Sequence, residues 1–119
     1  MKLSEKQRKF TVMVGNFVIW AHGEGYELTY GHAWRDKETQ ARLVEKGLSK
    51  TLDSKHCDRL AIDFNLFVDG QYTDDKEAYR PLGEYWEGIG GRWGGRFGVE
   101  PANYGTEVGW DAGHFEFGG

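Results

Sequence analysis

Two histidines and an aspartate are the residues best able to do chemistry in this chain. Asp63 lies between Ile62 and Phe64 in an apolar run, where a carboxylate buried alone would be costly. An ion pair with a nearby Arg or Lys is one way to satisfy it. A metal ion is the other, because His56, Asp63 and His114 together supply two imidazoles and one carboxylate. That ligand set is typical of a catalytic zinc site whose fourth position is open to water.

A zinc site of this kind needs a base close to the metal. Water bound to zinc ionises near neutral pH and becomes a nucleophile, and a neighbouring group must accept its proton. Asp111 lies three residues before His114 and could do so if the turn at 111–113 folds its carboxylate back over the metal. Spacing alone leaves both the ion pair and the metal site open.

Helical periodicity predicts the first of three helices that position these residues. It runs from about Ser4 to His22, with Ser4 and Gln7 forming a capping box and with Gly23 and Gly25 ending it. Its apolar face comprises Phe10, Met13, Val14, Phe17 and Ala21.

Two shorter helices are predicted further along the chain. Asp36 can cap a helix over 37–48, which has Gly47 near its end and Ala41, Val44 and Leu48 on one face. Asp74 or Asp75 can begin a third helix, with Pro81 in its first turn or at a kink. The residues expected to point inward from this third helix are Tyr79, Leu82 and Trp86.

Strand signals complete an α+β pattern. Side chains of residues 60–68 fall on two alternating faces, a pattern that predicts a strand. Asp69-Gly70 predicts a hairpin turn into Gln71-Tyr72. Short strands are also predicted over residues 26–30 and 114–117. Residues 88–109 are glycine-rich and are expected to form loops. We therefore expect residues 1–119 to form a single small α+β domain, with about three helices packed on a short antiparallel sheet.

Composition excludes several classes of protein. The 15 Lys+Arg and 19 Asp+Glu give a net charge of −4, which argues against a nucleic-acid-binding protein. A single cysteine, Cys57, excludes an internal disulfide and a cysteine-rich zinc module. No apolar run is long enough to span a membrane. Residues 10–21 could suggest a signal peptide, but Gly15 and Asn16 interrupt them, so we expect cytoplasmic synthesis without a signal. We also expect a monomer.

Two segments, residues 54–63 (SKHCDRLAID) and residues 110–116 (WDAGHFE), contain the candidate ligands and the candidate base. They resemble the S-x-H-x(6)-D signature and the closing motif of the zinc D-alanyl-D-alanine carboxypeptidase family, which includes the single-domain L-alanyl-D-glutamate endopeptidases of phages. Arg35 followed by Gln40, Leu43, Gly47 and Ser49 is similar to another family segment, and residues 6–27 resemble its first helix. One departure is Arg59, where many members carry Gly.

The resemblance implies a role for each matched residue. His56, Asp63 and His114 would hold one zinc ion, and Asp111 would be the general base and later the acid. Arg35 would stabilise the oxyanion or bind a substrate carboxylate, Ser54 would line the site, and Glu116 could support a ligand from the second shell. Arg59 is expected to point outward and to affect substrate fit more than zinc.

The resemblance also implies a hedgehog/D-Ala-D-Ala peptidase-like fold and a function. The expected enzyme is a peptidoglycan hydrolase that cuts the L-alanyl-D-glutamate bond of the stem peptide, as a phage endolysin does when it is released to the cell wall by a holin-type partner. The alternatives are a D-alanyl-D-alanine carboxypeptidase or dipeptidase of the same family, and a wall-binding module without catalysis.

Several other residues have simpler explanations. His22 suits the end of a helix, Cys57 is expected to be a free buried thiol rather than a ligand, and His32 could line the cleft. One of Trp93 and Trp110 could form a wall of that cleft. The acidic loop residues could bind calcium, but they lack EF-hand spacing and are expected to form a solvated turn: Asp69, Asp74 and Asp75.

Overall fold

Three α-helices and five β-strands form the fold in a computed structural model that describes residues 1–51 and 54–119. The helices are α1 (Leu3–Gly23), α2 (Lys37–Glu45) and α3 (Arg80–Gly88). The strands are β1 (Glu27–Tyr30), β2 (Ala61–Val68), β3 (Gln71–Thr73), β4 (Gly91–Trp93) and β5 (His114–Phe117). The predicted α+β class, with helices on a short antiparallel sheet, is confirmed.

The sheet is antiparallel and is organised around β2. Its strand order is β1-β2-β5-β4, and β3 also pairs with β2. The first half of β2 pairs with β5, so that Asp63 lies opposite His114. Directly opposed residues in such a pair project from the same face of the sheet. Strand pairing therefore brings two of the three predicted metal ligands together from distant parts of the sequence.

The other face of β2 forms the hydrophobic core with α1 and α3. Ile62, Phe64 and Leu66 are buried on that face, as the alternating pattern predicts. The ring of Phe17 from α1 lies 5.5 Å from that of Phe64 and 4.8 Å from that of Phe115 in β5. Because the pleat alternates, burying this apolar face turns Asp63 toward the opposite side of the sheet.

The first helix is confirmed, but the capping box proposed for it is wrong. The helix begins one residue before Ser4, Lys2 is its N-cap residue, and no side chain caps it. Gln7 instead donates a hydrogen bond of 2.8 Å from Nε2 to the carbonyl oxygen of Asp58. This contact ties α1 to the turn that follows His56.

The second helix begins as predicted and ends earlier. The carboxylate of Asp36 caps it by accepting a hydrogen bond from the Thr39 amide. The helix ends at Glu45, and Gly47 takes a positive φ of 72°, a conformation that glycine adopts without strain. The apolar face predicted for this helix is wrong, because Leu48 is 72% exposed and Ala41 is also exposed. The side chain that α2 buries is that of Gln40.

The third helix and the hairpin are confirmed, but β4 was missed. A short 3₁₀ helix capped by Asp75 leads into α3, whose first turn contains Pro81. Positive φ angles at Asp69 and Gly70 form the two-residue turn between β2 and β3. The three-residue strand β4 lies within the predicted loop over 88–109 and is too short to give a periodic signal.

Candidate metal centre

His56, Asp63 and His114 form a compact cluster of three potential metal ligands. His56 Nε2 lies 3.2 Å from Asp63 Oδ1 and 3.2 Å from His114 Nδ1, and His114 Nδ1 lies 3.3 Å from Asp63 Oδ1. Both histidines are buried, whereas Asp63 is half-buried. Within residues 1–51 and 54–119 this is the one group of His, Cys, Asp and Glu side chains that could hold a metal ion.

The dimensions of this triangle fit zinc. Ligand bonds of about 2.0–2.1 Å in a tetrahedron place neighbouring donor atoms about 3.3 Å apart. The three edges of the observed triangle are 3.2, 3.2 and 3.3 Å. The chemistry of the donors also fits, since two imidazoles and one carboxylate leave a fourth position for water or substrate. The cluster can therefore hold zinc without rearrangement of the side chains.

His56 is positioned by a 3₁₀ helix over Lys55–Asp58, an element that the sequence did not predict. Ser54 is the N-cap residue of this helix, and its buried hydroxyl accepts a hydrogen bond of 3.2 Å from the His56 amide. Arg59 ends the helix with a left-handed backbone at φ 58°. Gly adopts this conformation at no steric cost, so the backbone here would favour the Gly of the signature that this segment resembles. The Arg59 side chain is exposed over Trp34, on the expected outward side.

His114 is oriented by Glu116, which lies two residues further along β5. His114 Nε2 is 2.8 Å from Glu116 Oε1, so that Nδ1 faces the cluster. Lys55 lies 3.2 Å from the other oxygen of Glu116. Burial lowers the pKa of His114, but hydrogen bonds to Asp63 and Glu116 outweigh it and raise that pKa to about 9 in the metal-free protein. A metal ion therefore competes with a proton at this nitrogen.

The electrostatics of the cluster keep Asp63 ionised. Burial raises the pKa of Asp63, but hydrogen bonds from His114 and His56 overcome this effect and hold the pKa well below its usual range. The second oxygen, Oδ2, accepts a hydrogen bond of 3.1 Å from Arg35 Nη2. An ionised carboxylate with one oxygen directed at the cluster is a suitable metal ligand. The ion pair that the sequence offered as an alternative is also present, and it coexists with the metal-competent geometry.

Asp111 reaches the cluster through a tight turn. The His114 amide donates to the Asp111 carbonyl at 3.0 Å, and this turn brings Asp111 Oδ2 to 3.7 Å from His114 Nδ1. Trp93 Nε1 holds the turn by donating to the Ala112 carbonyl at 2.7 Å. Gly94 allows the approach, since a Cβ there would lie 2.1 Å from the Asp111 carbonyl oxygen. Burial raises the pKa of Asp111, which makes the carboxylate a better proton acceptor.

Arg35 lies against the cluster and is held on several sides. Besides Asp63, its guanidinium donates a hydrogen bond of 3.0 Å to Gln40 Oε1 and another to the His32 ring. The side chain is 13% exposed. The Gln40 side chain in turn donates a hydrogen bond to Ser49 Oγ. Through these hydrogen bonds Arg35 is linked to α2 and to the segment that follows it. The charge of Arg35 is therefore fixed beside the predicted metal position.

A cleft of about 350 Å³ opens over the cluster. Trp110 is 46% exposed and forms part of its wall, whereas Trp93 is fully buried in the core, which resolves the choice between them. Sequence reasoning did not assign Lys50, Lys55, Arg92 or Phe97 to the site. The described residues that line the cleft include Arg35, Ser49, Lys50, Ser54, Lys55, His56, Arg92, Phe97, Trp110, Asp111, His114 and Glu116.

The remaining candidate residues lie outside this cluster. His22 is exposed in the last turn of α1, and His32 contacts Arg35. Cys57 is a half-buried free thiol, not a fully buried one. The acidic residues of the 69–75 segment do not form a metal-competent group within the described part of the chain, and Asp75 caps the helical turn that follows.

Comparison with known proteins identifies the family. A family model described as D-alanyl-D-alanine carboxypeptidase matches residues 47–117. The chain belongs to this family. The segment that matches the family model contains His56, Asp63, Asp111, His114 and Glu116. Arg35 lies before it. No curated protein matches the chain.

Solved structures show the same fold. An L-Ala D-Glu endopeptidase, ChiX from Serratia marcescens, superposes with a TM-score of 0.54 at 23% identity over 76% of this chain. The chain spans 65% of the length of ChiX. A D,D-pentapeptidase, VanY from a VanB-type resistance cassette, solved with Zn(II), superposes with a TM-score of 0.63 at 20% identity, covering 93% of this chain and 71% of VanY. The structure of VanYB in complex with D-alanine-D-alanine superposes with a TM-score of 0.62.

In the described residues no helix is both long and apolar enough to cross a membrane.

Proposed function

We propose that this chain is a zinc-dependent peptidase that hydrolyses the stem peptide of peptidoglycan, and that it cuts the L-alanyl-D-glutamate bond. One observation carries the proposal: three ligand atoms form a triangle with edges of 3.2–3.3 Å, and a carboxylate that is not part of the triangle, Asp111, lies 3.7 Å from one of them. Metal ligands with an adjacent base are the parts that metal-assisted peptide hydrolysis needs. Family membership supports the same reaction class.

His56 Nε2, Asp63 Oδ1 and His114 Nδ1 would hold the zinc ion. When bound, zinc polarises the scissile carbonyl and makes water acidic enough to attack at neutral pH. Glu116 would keep the His114 ring turned so that Nδ1 faces the metal, through the hydrogen bond of 2.8 Å at Nε2. Ser54 would keep His56 in position by capping its helix, and it would also line the substrate cleft.

Asp111 would move the proton. Its carboxylate takes a proton from the attacking water as the new C–O bond forms, and it delivers that proton to the amine nitrogen as the C–N bond breaks. The raised pKa of Asp111 suits both steps, because the group must accept a proton and then release it. Arg35 would stabilise the negative charge that develops on the carbonyl oxygen or hold a substrate carboxylate, tasks for which a fixed guanidinium is well suited.

The biological setting that fits this activity is lysis of a bacterial wall. The protein would be made in the cytoplasm of a host cell, act as a monomer, and reach the wall with the help of a holin-type partner. These points rest on the resemblance to phage endolysins.

A second candidate is a D-alanyl-D-alanine carboxypeptidase or dipeptidase. The description of the matching family and the VanYB structure with D-alanine-D-alanine favour it. A wall-binding module without catalysis is a third possibility, and the position of Asp111 beside the cluster argues against it, because a binding module needs no base.

The deciding experiment combines metal analysis with digestion of purified peptidoglycan. One zinc per chain and a new D-glutamate amino terminus, identified by mass spectrometry, are the expected results. Release of D-alanine would favour the carboxypeptidase instead. Zinc without any product would leave only a binding module, and absence of zinc after reconstitution would reject the metal centre.

A further inference from the structure

One wall of the cleft is a row of neighbouring aromatic rings with two cations over it. The Phe97 ring lies 5.5 Å from the His114 ring and 5.6 Å from the Trp110 ring. The Arg92 guanidinium lies 5.0 Å from the centre of the Phe97 ring, and Lys50 Nζ lies 4.8 Å from that of Trp110. We call these four residues, Lys50, Arg92, Phe97 and Trp110, the cationic wall. Through Phe97 it adjoins a predicted metal ligand.

The cations that line the cleft differ in how strongly they are engaged. Arg35 is held by Asp63 and Gln40. Lys55 is also engaged, because its Nζ donates to the Phe117 carbonyl at 2.8 Å and lies 3.2 Å from Glu116. Both of these side chains serve to hold the site together.

Among the contacts of the described residues, those of the two cations of the cationic wall are weaker. Arg92 has its nearest carboxylate oxygen, on Glu116, at 3.7 Å, and its side chain is 63% exposed. In residues 1–51 and 54–119 no ion pair to Lys50 is formed, and its residue is exposed. Stacking on aromatic rings restrains both long side chains, which lowers the entropy lost when they bind an anion.

We propose that the cationic wall binds a free carboxylate of the substrate that lies close to the scissile bond. The inference rests on the proposed function and assigns specificity within it. In a protein of net charge −4, a cleft lined by four cations and by the carboxylates of Asp111 and Glu116 selects for an anionic ligand. Arg35 is then free to act on the developing charge at the carbonyl, while Lys50 and Arg92 recognise the carboxylate.

Two substrate groups carry this chemistry. One is the α-carboxylate of D-glutamate, which is adjacent to the nitrogen of the L-alanyl-D-glutamate bond. The other is the terminal carboxylate of D-alanyl-D-alanine. Both are aliphatic carboxylates attached to the residue that leaves as an amine, and matched amides distinguish them.

The test uses pairs of stem peptides that differ by one group. The first pair carries D-isoglutamate or D-isoglutamine, and the second carries a C-terminal D-alanyl-D-alanine acid or its amide. The zinc-loaded protein is expected to show a kcat/KM about tenfold higher for the acid of the pair that it cleaves, the size of one charge-assisted contact. The preference should shrink as salt is added, because the cationic wall is partly exposed.

The double variant Lys50→Met, Arg92→Met is expected to lose this preference. Its zinc content should match that of the wild type, and most of the loss should appear as a higher KM for the acid. Lys9→Met, at an exposed lysine of α1, is the matched control and should keep the preference. An equal loss for acid and amide, or a preference that survives in the double variant, would overturn the proposal.

Equilibrium binding separates this inference from the proposed function. Titration of the same peptides, followed by Trp fluorescence, gives affinities even if no peptide is cleaved. Tighter binding of the acid by the wild type but not by the double variant supports the cationic wall without requiring catalysis. Cleavage of both members of a pair at equal rates, with equal affinities, rejects the cationic wall and leaves the peptidase assignment intact.

Discussion

The side chains of Glu116 and His114 are joined by a hydrogen bond of 2.8 Å on the ring nitrogen that faces away from the metal-competent cluster. The two residues are two positions apart on β5, so their side chains project from the same face of the sheet. Glu116 is almost fully buried, and Lys55, at 3.2 Å, balances its charge. A carboxylate that holds the distal nitrogen of a ligating histidine fixes the orientation of the ring and raises its basicity. We therefore expect Glu116, which does not touch the predicted metal position, to contribute to the metal affinity.

Replacing Glu116 tests this relationship. We expect Glu116→Ala to weaken zinc binding by about 10- to 100-fold, because loss of a carboxylate partner frees the ring to rotate and lowers its basicity. Glu116→Gln keeps the shape and one acceptor and should lose less. Competition with a chromogenic chelator measures both affinities. Glu84→Gln, at an exposed glutamate of α3, is the control. An unchanged zinc affinity in the Ala variant would contradict a supporting role for Glu116.

The metal-free protein should lose stability as the pH rises from 7 to 9.5. Hydrogen bonds to Asp63 and Glu116 outweigh burial and raise the folded-state pKa of His114 to about 9, above the ordinary value of 6.5. The proton on His114 therefore contributes its full stabilisation of the fold below about pH 6.5, and this contribution disappears as the pH rises through about 9. We expect a loss on the order of 2 kcal/mol in the free energy of unfolding over this interval, measured by urea denaturation.

The chosen interval isolates His114 from other groups. Burial lowers the pKa of His32, so its effect lies below pH 6.5, and the pKa of Asp63 is lower still. Burial raises the pKa of Tyr79 to about 12. Its contribution to stability is therefore lost only above about pH 10, the pKa of tyrosine in the unfolded chain, which lies outside the interval. His114→Gln should abolish the slope, and His22→Gln should preserve it. With saturating zinc the slope should disappear, because the metal displaces the proton and the unfolded histidine is already largely unprotonated over this interval.

Two glycines of the same helix should respond in opposite ways to alanine. A Cβ at Gly83 would lie 2.0 Å from the Trp93 ring, whereas nothing lies within 4 Å of one at Gly88. We expect Gly83→Ala to destabilise the protein by about 1–3 kcal/mol through overpacking. Gly88→Ala should be neutral or stabilising by up to about 1 kcal/mol through helix propensity. Thermal denaturation of both variants makes the comparison, and equal effects would contradict the close packing of Trp93.

Much of the framework of the site could be predicted from the sequence because it depends on local patterns. The alternation in β2 gave the buried face and, with it, the direction of Asp63. The Asp69-Gly70 turn gave the hairpin. The position of His56 was not available from such patterns, because a single 3₁₀ turn produces no periodicity, and its cap, Ser54, is recognisable only once the turn is known.

The parts of the site that escaped prediction depend on contacts between distant segments. Lys50 comes from the segment after α2 and Arg92 from β4, and only the folding of the 91–113 segment brings Phe97 and Trp110 beneath them. The burial of Gln40 was missed for a different reason. Its helix face packs against polar groups of the site, so that the hydrophobic pattern of α2 pointed to the wrong side.

Arg59 offers a test of backbone strain near the metal ligands. Its φ of 58° is costly for a residue with a Cβ, and its guanidinium recovers some energy over the Trp34 ring. Arg59→Gly removes both effects, whereas Arg59→Ala removes only the contact with Trp34. We expect the Gly variant to be more stable than the Ala variant by about 1 kcal/mol, as measured by chemical denaturation. Zinc content should match the wild type in both, and an Ala variant as stable as the Gly variant would contradict the left-handed conformation.

Asp111→Asn separates catalysis from metal binding. The substitution keeps the size of the side chain but removes its ability to accept and donate the proton, so kcat should fall by about 10²- to 10⁴-fold. Zinc content should be unchanged, because the three ligand atoms belong to other residues. Burial raises the pKa of Asp111, which means that its ionised form costs the folded state some stability at neutral pH. The Asn variant should therefore be at least as stable as the wild type, and a loss of zinc or a retained kcat would show that Asp111 is not the base.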